Sequence, residues 1–134
     1  MRGILTAGFI ALVSALGPAS AQSSPPAELV KARNAFASAV AANNSSAAAE
    51  LSSFPLINRV YREPRTTSKA GFAGLFKSYR QNFSKCLKSE PLKPEQTPAG
   101  KKTGLWTVDC DGNIVLFGQK SGRWLHVGFE NVNE

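Results

Sequence analysis

Histidine occurs once in this 134-residue sequence, at position 126, and cysteine twice, at positions 86 and 110. Three such residues cannot supply the four ligands of an ordinary structural zinc site, so no metal is expected. There is no glycine-rich phosphate loop and no basic stretch interleaved with aromatics for stacking bases. Nothing in the pattern calls for a cofactor, and no catalytic motif is present. Acidic residues are also scarce, nine against sixteen Lys and Arg, for a net charge of +7. The length allows one compact domain and no more.

Long apolar runs are missing as well. The longest, Ile4–Leu16, has thirteen residues, against the roughly 20 that a membrane-spanning helix needs. It follows the cationic Met1-Arg2-Gly3 and precedes Gly17-Pro18-Ala19-Ser20-Ala21, whose Ala19 and Ala21 suit the two small pockets of a signal peptidase. Residues 1–21 therefore read as a signal peptide, and 22–134 as a single exported α+β domain without a transmembrane segment. No Cys follows the cleavage site to carry a lipid anchor. A periplasmic or secreted location makes nucleic acid a poor partner in spite of the basic charge. It is also oxidising, which predicts a disulfide between Cys86 and Cys110.

Turning to what is present, Ser24 and the prolines after it open a helix over about Pro26 to Ala42, with Leu29, Ala32, Phe36 and Val40 on one face. Asn43-Asn44-Ser45-Ser46 stops it and caps a second, short helix over Ala47–Leu51. Leu56–Arg62 reads as a short strand at an edge, ended by Glu63-Pro64. Thr66-Thr67-Ser68 then caps a longer helix, whose apolar stripe runs through Phe72, Leu75, Phe76, Tyr79, Phe83, Cys86 and Leu87. Such a stripe is core packing. Ser89 to Gly104 contains three prolines and no periodicity, which predicts a connector.

Three strands follow, Leu105–Cys110, Ile114–Gly118 and Arg123–Glu130, and they make the fold α+β: N-terminal helices packed on a curved antiparallel sheet with a C-terminal three-strand meander. If Cys86 lies on the buried stripe and bonds Cys110, then Cys110, Val108 and Trp106 face the helix. A two-residue Asp111-Gly112 turn pairs them with Asn113, Val115 and Phe117. For the second hairpin, a three-residue loop ending in Gly122 pairs Phe117 with Leu125 and turns Leu125, Val127 and Phe129 inward. A two-residue Ser121-Gly122 loop would invert that strand, and burial of the three apolar residues favours the longer one. The outer face then carries Ile114, Leu116, Trp124 and His126 beside Asp109, a candidate interface for a homodimer or an envelope protein.

The order of elements, with Phe54-Pro55-Leu56 after the first helices, the Phe72, Phe76, Tyr79 and Phe83 helix, Trp106 and Gly122-Arg123-Trp124, resembles the cystatin-like α+β cone of the nuclear transport factor two superfamily. That resemblance spans roughly residues 26–131 and implies a curved sheet wrapped around helices. The superfamily includes isomerases, dehydratases, ligand carriers and transport adaptors, so fold alone does not select a function.

An isomerase or lyase would need an interior Asp or His as base with a second donor. His126 and Asp109 fall on the outer face in the favoured register, and Tyr61 and Tyr79 lack a base. Residues 59–102 hold eleven basic groups against three acidic ones. Within that block Lys77, Arg80, Lys85 and Lys88 form either the solvated side of an amphipathic helix or a candidate anion-binding surface. The reading favoured is a non-enzymatic exported binding or protein-interaction domain of the cell envelope, with a small pocket enzyme of the isomerase or lyase type as the alternative. An enclosed pocket holding His126 or Asp109 would favour the enzyme, and a filled interior the binding domain.

Overall fold

The computed structural model describes residues 24–60 and 65–133, so the signal-peptide reading of 1–21 and the end of the first predicted strand lie outside the described residues. Three helices and six strands follow in the order α1 (Ala27–Ala41), α2 (Ser45–Glu50), β1 (Ser52–Arg59), β2 (Arg65–Thr67), α3 (Lys69–Phe83), β3 (Lys93–Gln96), β4 (Lys102–Cys110), β5 (Asn113–Lys120) and β6 (Arg123–Asn131).

Each helix starts where the local chemistry permits it. Helix α1 follows Pro26, whose carbonyl takes the first backbone bonds from Leu29 and Val30. Pro26 rather than Ser24 is the capping residue, and no side chain caps this end. Asn44 caps α2 by accepting the Ala47 N–H at 3.0 Å, and Ser68 caps α3 by accepting that of Gly71 at 3.0 Å. Helix α3 ends at Phe83, earlier than its apolar stripe suggests. Cys86 and Leu87 therefore sit in turns beyond it, where the Arg33 guanidinium donates to the carbonyls of Leu87 and Glu90 at 3.3 and 2.9 Å.

The sheet runs β2-β1-β6-β5-β4-β3. The C-terminal meander is as expected, and Trp106, Val108 and Cys110 pair with Phe117, Val115 and Asn113 as the Asp-Gly turn dictates. Three features go beyond the sequence reading. The strand placed at an edge, β1, lies one in from it, because β2 folds back beside it and takes the edge. Its other neighbour is β6, and that pair is parallel, so the sheet is mixed. Parallel neighbours need a long crossover, and here α3 and the whole meander supply it. The expected connector also contains β3, which pairs with β4 and carries Pro94 opposite Trp106. A proline is tolerated there because β3 is the other edge, where one side of the strand needs no ladder bonds.

The sheet is strongly curved. Arg59 on β1 and Glu95 on β3 are four strand spacings apart, about 19 Å in a flat sheet, yet their side chains meet at 2.7 Å. Glu130 on β6 completes this ion cluster at 3.5 Å from Arg59. The main core lies on the opposite face, against the helices. There Leu29, Phe36, Val40, Leu56, Val108, Val115 and Phe117 are fully buried.

Candidate functional site

The β5–β6 hairpin decides where the sequence-predicted site residues go. Lys120 pairs with Arg123, so the loop is the two-residue Ser121-Gly122 turn. Both of its residues are left-handed, at φ 51° and 78°, which suits a tight turn between twisted strands. The three-residue loop is therefore replaced by its alternative, and Phe117 pairs with His126. The ladder then slips, with Leu116 opposite Gly128 and Val115 opposite Phe129, leaving Val127 as the extra residue. This bulge reverses the strand's parity midway. Trp124, His126 and Phe129 all come to the core side, and Leu125 and Val127 do not.

The candidate interface is thus taken apart. His126 is fully buried, and Trp124 packs against the core cluster. Leu116 is on the far face as expected, but it is fully buried there, in the curl of the sheet where Leu105 and Val127 close over Gly118. Ile114 and Trp124 keep partial exposure. Among the described residues the one large apolar side chain classed as exposed is Val132. Asp109 stays outside and caps its turn, accepting the Gly112 N–H at 2.8 Å. Because Trp124 now packs inward, Trp124→Ala should destabilise the fold by about 3 kcal/mol, the low end of the range for an aromatic truncated in a core. Denaturant melts of the two proteins measure it, and unchanged stability with altered sedimentation would restore the outward register.

His126 is held by a chain of three groups. Its Nδ1 lies 2.7 Å from Ser52 Oγ and its Nε2 2.9 Å from the Tyr79 hydroxyl. Ser52 gives its only hydroxyl hydrogen to the Ala48 carbonyl at 2.7 Å, so it must accept from the ring. Nδ1 therefore carries the proton, and Tyr79 donates to Nε2. The ring stacks on Phe36 with centroids 4.2 Å apart and meets Phe72 and Phe117 at 5.6 and 6.4 Å. Burial lowers the His126 pKa from 6.5 to about 3, against a smaller raising effect from the Gly128 backbone. Burial likewise raises Tyr79 well above its ordinary value. Ser52 beside His126 has the spacing of a nucleophile and its base. The serine proton points away from the ring, however, and the ring nitrogens are both engaged.

A recess lies on the far side of Tyr79. One flank of α3 and the ends of β1, β5 and β6 enclose about 100 Å³ between the apolar side chains of Leu75, Phe83 and Phe129, with Ser78, Asn82 and Asn113 around them. It shares Val60, Leu75, Ser78 and Phe129 with an adjoining groove of about 330 Å³ beside Asn58 and Arg65. Neither is lined by His126, Asp109 or Ser52. Glu130 reaches the recess, but Arg59 engages its carboxylate.

The basic set divides between helix and turn. Lys77 and Arg80 are on α3, while Lys85 and Lys88 follow its end. All four are exposed, and none makes an ion pair among the described residues. Arg80 shares a shallow groove with Ala41 at the end of α1, whereas Ser78 shares the recess with Phe129. Lys77 and Arg80, three residues apart, therefore lie on the flank of α3 opposite the recess. Sequence reasoning overlooked the recess residues, although Leu75, Ser78 and Asn82 recur at helical spacing beside the core stripe. Cys86 and Cys110 are paired, with Cα atoms 5.9 Å apart. No described helix is long and apolar enough to cross a membrane.

No family model and no curated protein matches this sequence. The chain is similar to NTF-2-like proteins. One of unknown function from Shewanella oneidensis is 12% identical, with a TM-score of 0.38 over 77% of this chain and 94% of that one. Another of unknown function, from Burkholderia xenovorans, is 15% identical, with a TM-score of 0.40 over 80% and 86%. A third similar structure, named for a calcium/calmodulin dependent protein kinase II association domain and from Xanthomonas campestris, is 13% identical, with a TM-score of 0.44 over 86% and 95%.

Proposed function

We propose that the protein is an exported, non-enzymatic binding domain of the cell envelope that docks on an anionic surface through Lys77, Arg80, Lys85 and Lys88. The observation that carries this reading is the pairing of a filled interior with an unneutralised cationic flank. The single histidine is spent as a neutral hydrogen-bonding hub in the core, so the acid–base pair that an isomerase or lyase requires is not assembled at the recess. The four cations make no ion pair among the described residues, and a surface of one sign attracts its opposite over a Debye length. The Cys86–Cys110 pair supports an oxidising compartment.

Co-sedimentation with phosphatidylcholine vesicles, with and without phosphatidylglycerol, tests the reading. Binding is expected only with the anionic lipid, and it should weaken as salt is raised. Each basic residue near such a surface contributes about 1 kcal/mol. Replacing Lys77 and Arg80 together by Glu should therefore weaken binding by at least ~30-fold. Protein recovered from the envelope fraction should have the mass of a chain beginning at Gln22. Equal binding to neutral vesicles, or a retained Met1, would defeat the proposal.

A further inference from the structure

The flank of α3 opposite the cations carries a second kind of chemistry. We infer that the recess between α3 and the ends of β5 and β6 is a binding site for a small, uncharged, hydroxyl-bearing ring of monosaccharide size. Its walls explain the apolar part of that ligand. Leu75, Phe83 and Phe129, with the ring of Tyr79, line one side, and a ring lying against them loses apolar area to water on one face.

The polar part follows from what the other side chains do not do. Ser78, Asn82 and Asn113 line the same recess, and the side chains of all three are without a hydrogen-bond partner among the described residues. Two carboxamides and a hydroxyl offer donors and acceptors in equal measure, which suits hydroxyl groups that both give and take protons.

Charge is selected against. No Lys or Arg lines the recess itself, Arg65 on the adjoining groove is already engaged with a partner of its own, and the one carboxylate, Glu130, is paired with Arg59. A charged ligand would give up its hydration without meeting a free counter-charge. Size sets the class. The recess itself, about 100 Å³, is smaller than the ~150 Å³ cavity that holds benzene, so a ring can insert only one edge. The adjoining groove of about 330 Å³, which shares Leu75, Ser78 and Phe129, takes the remainder. Tyr79 contributes only its ring, because its hydroxyl is committed to His126. The site therefore holds its ligand without reacting with it.

Titration of the isotopically labelled protein with N-acetylglucosamine, followed by amide NMR, tests the inference. Saturable shifts should appear at Ser78, Asn82, Asn113 and Phe129. Asn82 is exposed and unbonded, and alanine favours a helix, so Asn82→Ala should keep the fold and weaken binding about tenfold, the equivalent of one hydrogen bond. Gln81→Ala, on the cationic flank, should leave affinity unchanged. Glucosamine and glucuronate, one cationic and one anionic, should bind at least tenfold more weakly than the neutral sugar. The inference is overturned if no shift saturates at those residues, if Asn82→Ala binds as well as the parent, or if either charged sugar matches the neutral one. None of these outcomes bears on vesicle binding, which uses the other flank.

Discussion

Between pH 7 and pH 4 the protein should lose about 3 kcal/mol of folding stability through His126 alone. In the unfolded chain that imidazole titrates near 6.5, whereas burial holds it at about 3 in the fold. Below pH 6.5 the unfolded state therefore binds a proton that the folded state refuses. Stability from this group is complete above pH 6.5 and falls by about 1.4 kcal/mol for each unit of pH until the folded value is reached. The hydrogen bonds show why the fold resists the proton. Nδ1–H is already donated to Ser52, and the only site left is Nε2, where Tyr79 donates. Protonating Nε2 would force the Tyr79 hydroxyl to accept, leaving its own hydrogen unpaired in a shell of aromatic rings.

Other carboxylates also titrate on the way to pH 4, so the measurement should be a difference. His126→Gln places a non-titrating donor and acceptor at the same position. Its stability should be lower than that of the parent at pH 7, and the gap should narrow by about 3 kcal/mol at pH 4, since shared carboxylates cancel. Urea melts at the two pH values give both numbers. A gap that stays constant would mean that His126 is accessible to protons in the folded state.

That histidine is also where the sequence misleads most. Helix α1 and the first hairpin were legible because their signals are local. The apolar positions of α1 repeat at helical spacing, and Asp111-Gly112 fixes a turn whose two residues are left-handed at φ 58° and 91°. The second hairpin has an equally tight turn, but strict alternation along β6 cannot bury Leu125, Val127 and Phe129 with that turn in place. The bulge at Val127 removes the conflict by changing the parity between His126 and Phe129. Gly128 carried a signal of it. A Cβ there would strike the backbone of Ile57 on β1, and an isolated glycine inside a strand often marks a bulge or a close approach. The parallel β1–β6 contact leaves no trace in local sequence, because it joins segments separated by most of the chain. The partners of His126 were hidden for a like reason: Ser52 reaches it through that long-range pairing and Tyr79 from α3, 47 residues away in sequence. The charge block was legible in the sequence, while the division of Lys77, Arg80, Lys85 and Lys88 between helix and turn was not.

Reducing the Cys86–Cys110 pair should have an effect as large as acidification, by a different route. The two residues are 24 apart in sequence, and closing a loop of that length removes chain entropy from the unfolded state equivalent to about 3–4 kcal/mol. The folded state is placed to keep its shape without the bond. Arg33 holds the turn after α3 by two backbone carbonyls, Leu87 in that turn is fully buried, and Cys110 is fixed by its β-ladder to Asn113. The loss should therefore appear as easier unfolding of an intact fold. In calorimetry the melting temperature should drop by on the order of 10 °C in reductant, judged from the shift per kcal/mol of a domain this size. Cys86→Ser should melt with the reduced protein and show no further response to reductant. Tryptophan fluorescence, from Trp106 and Trp124 packed against the core, and backbone circular dichroism at room temperature should be unchanged in both. If the melting temperature stays the same while both thiols become alkylatable, the pair contributes nothing to the unfolded-state entropy. If instead both thiols are alkylatable before any reductant is added, the pair is not bonded in the exported protein and the oxidising compartment loses its main structural support.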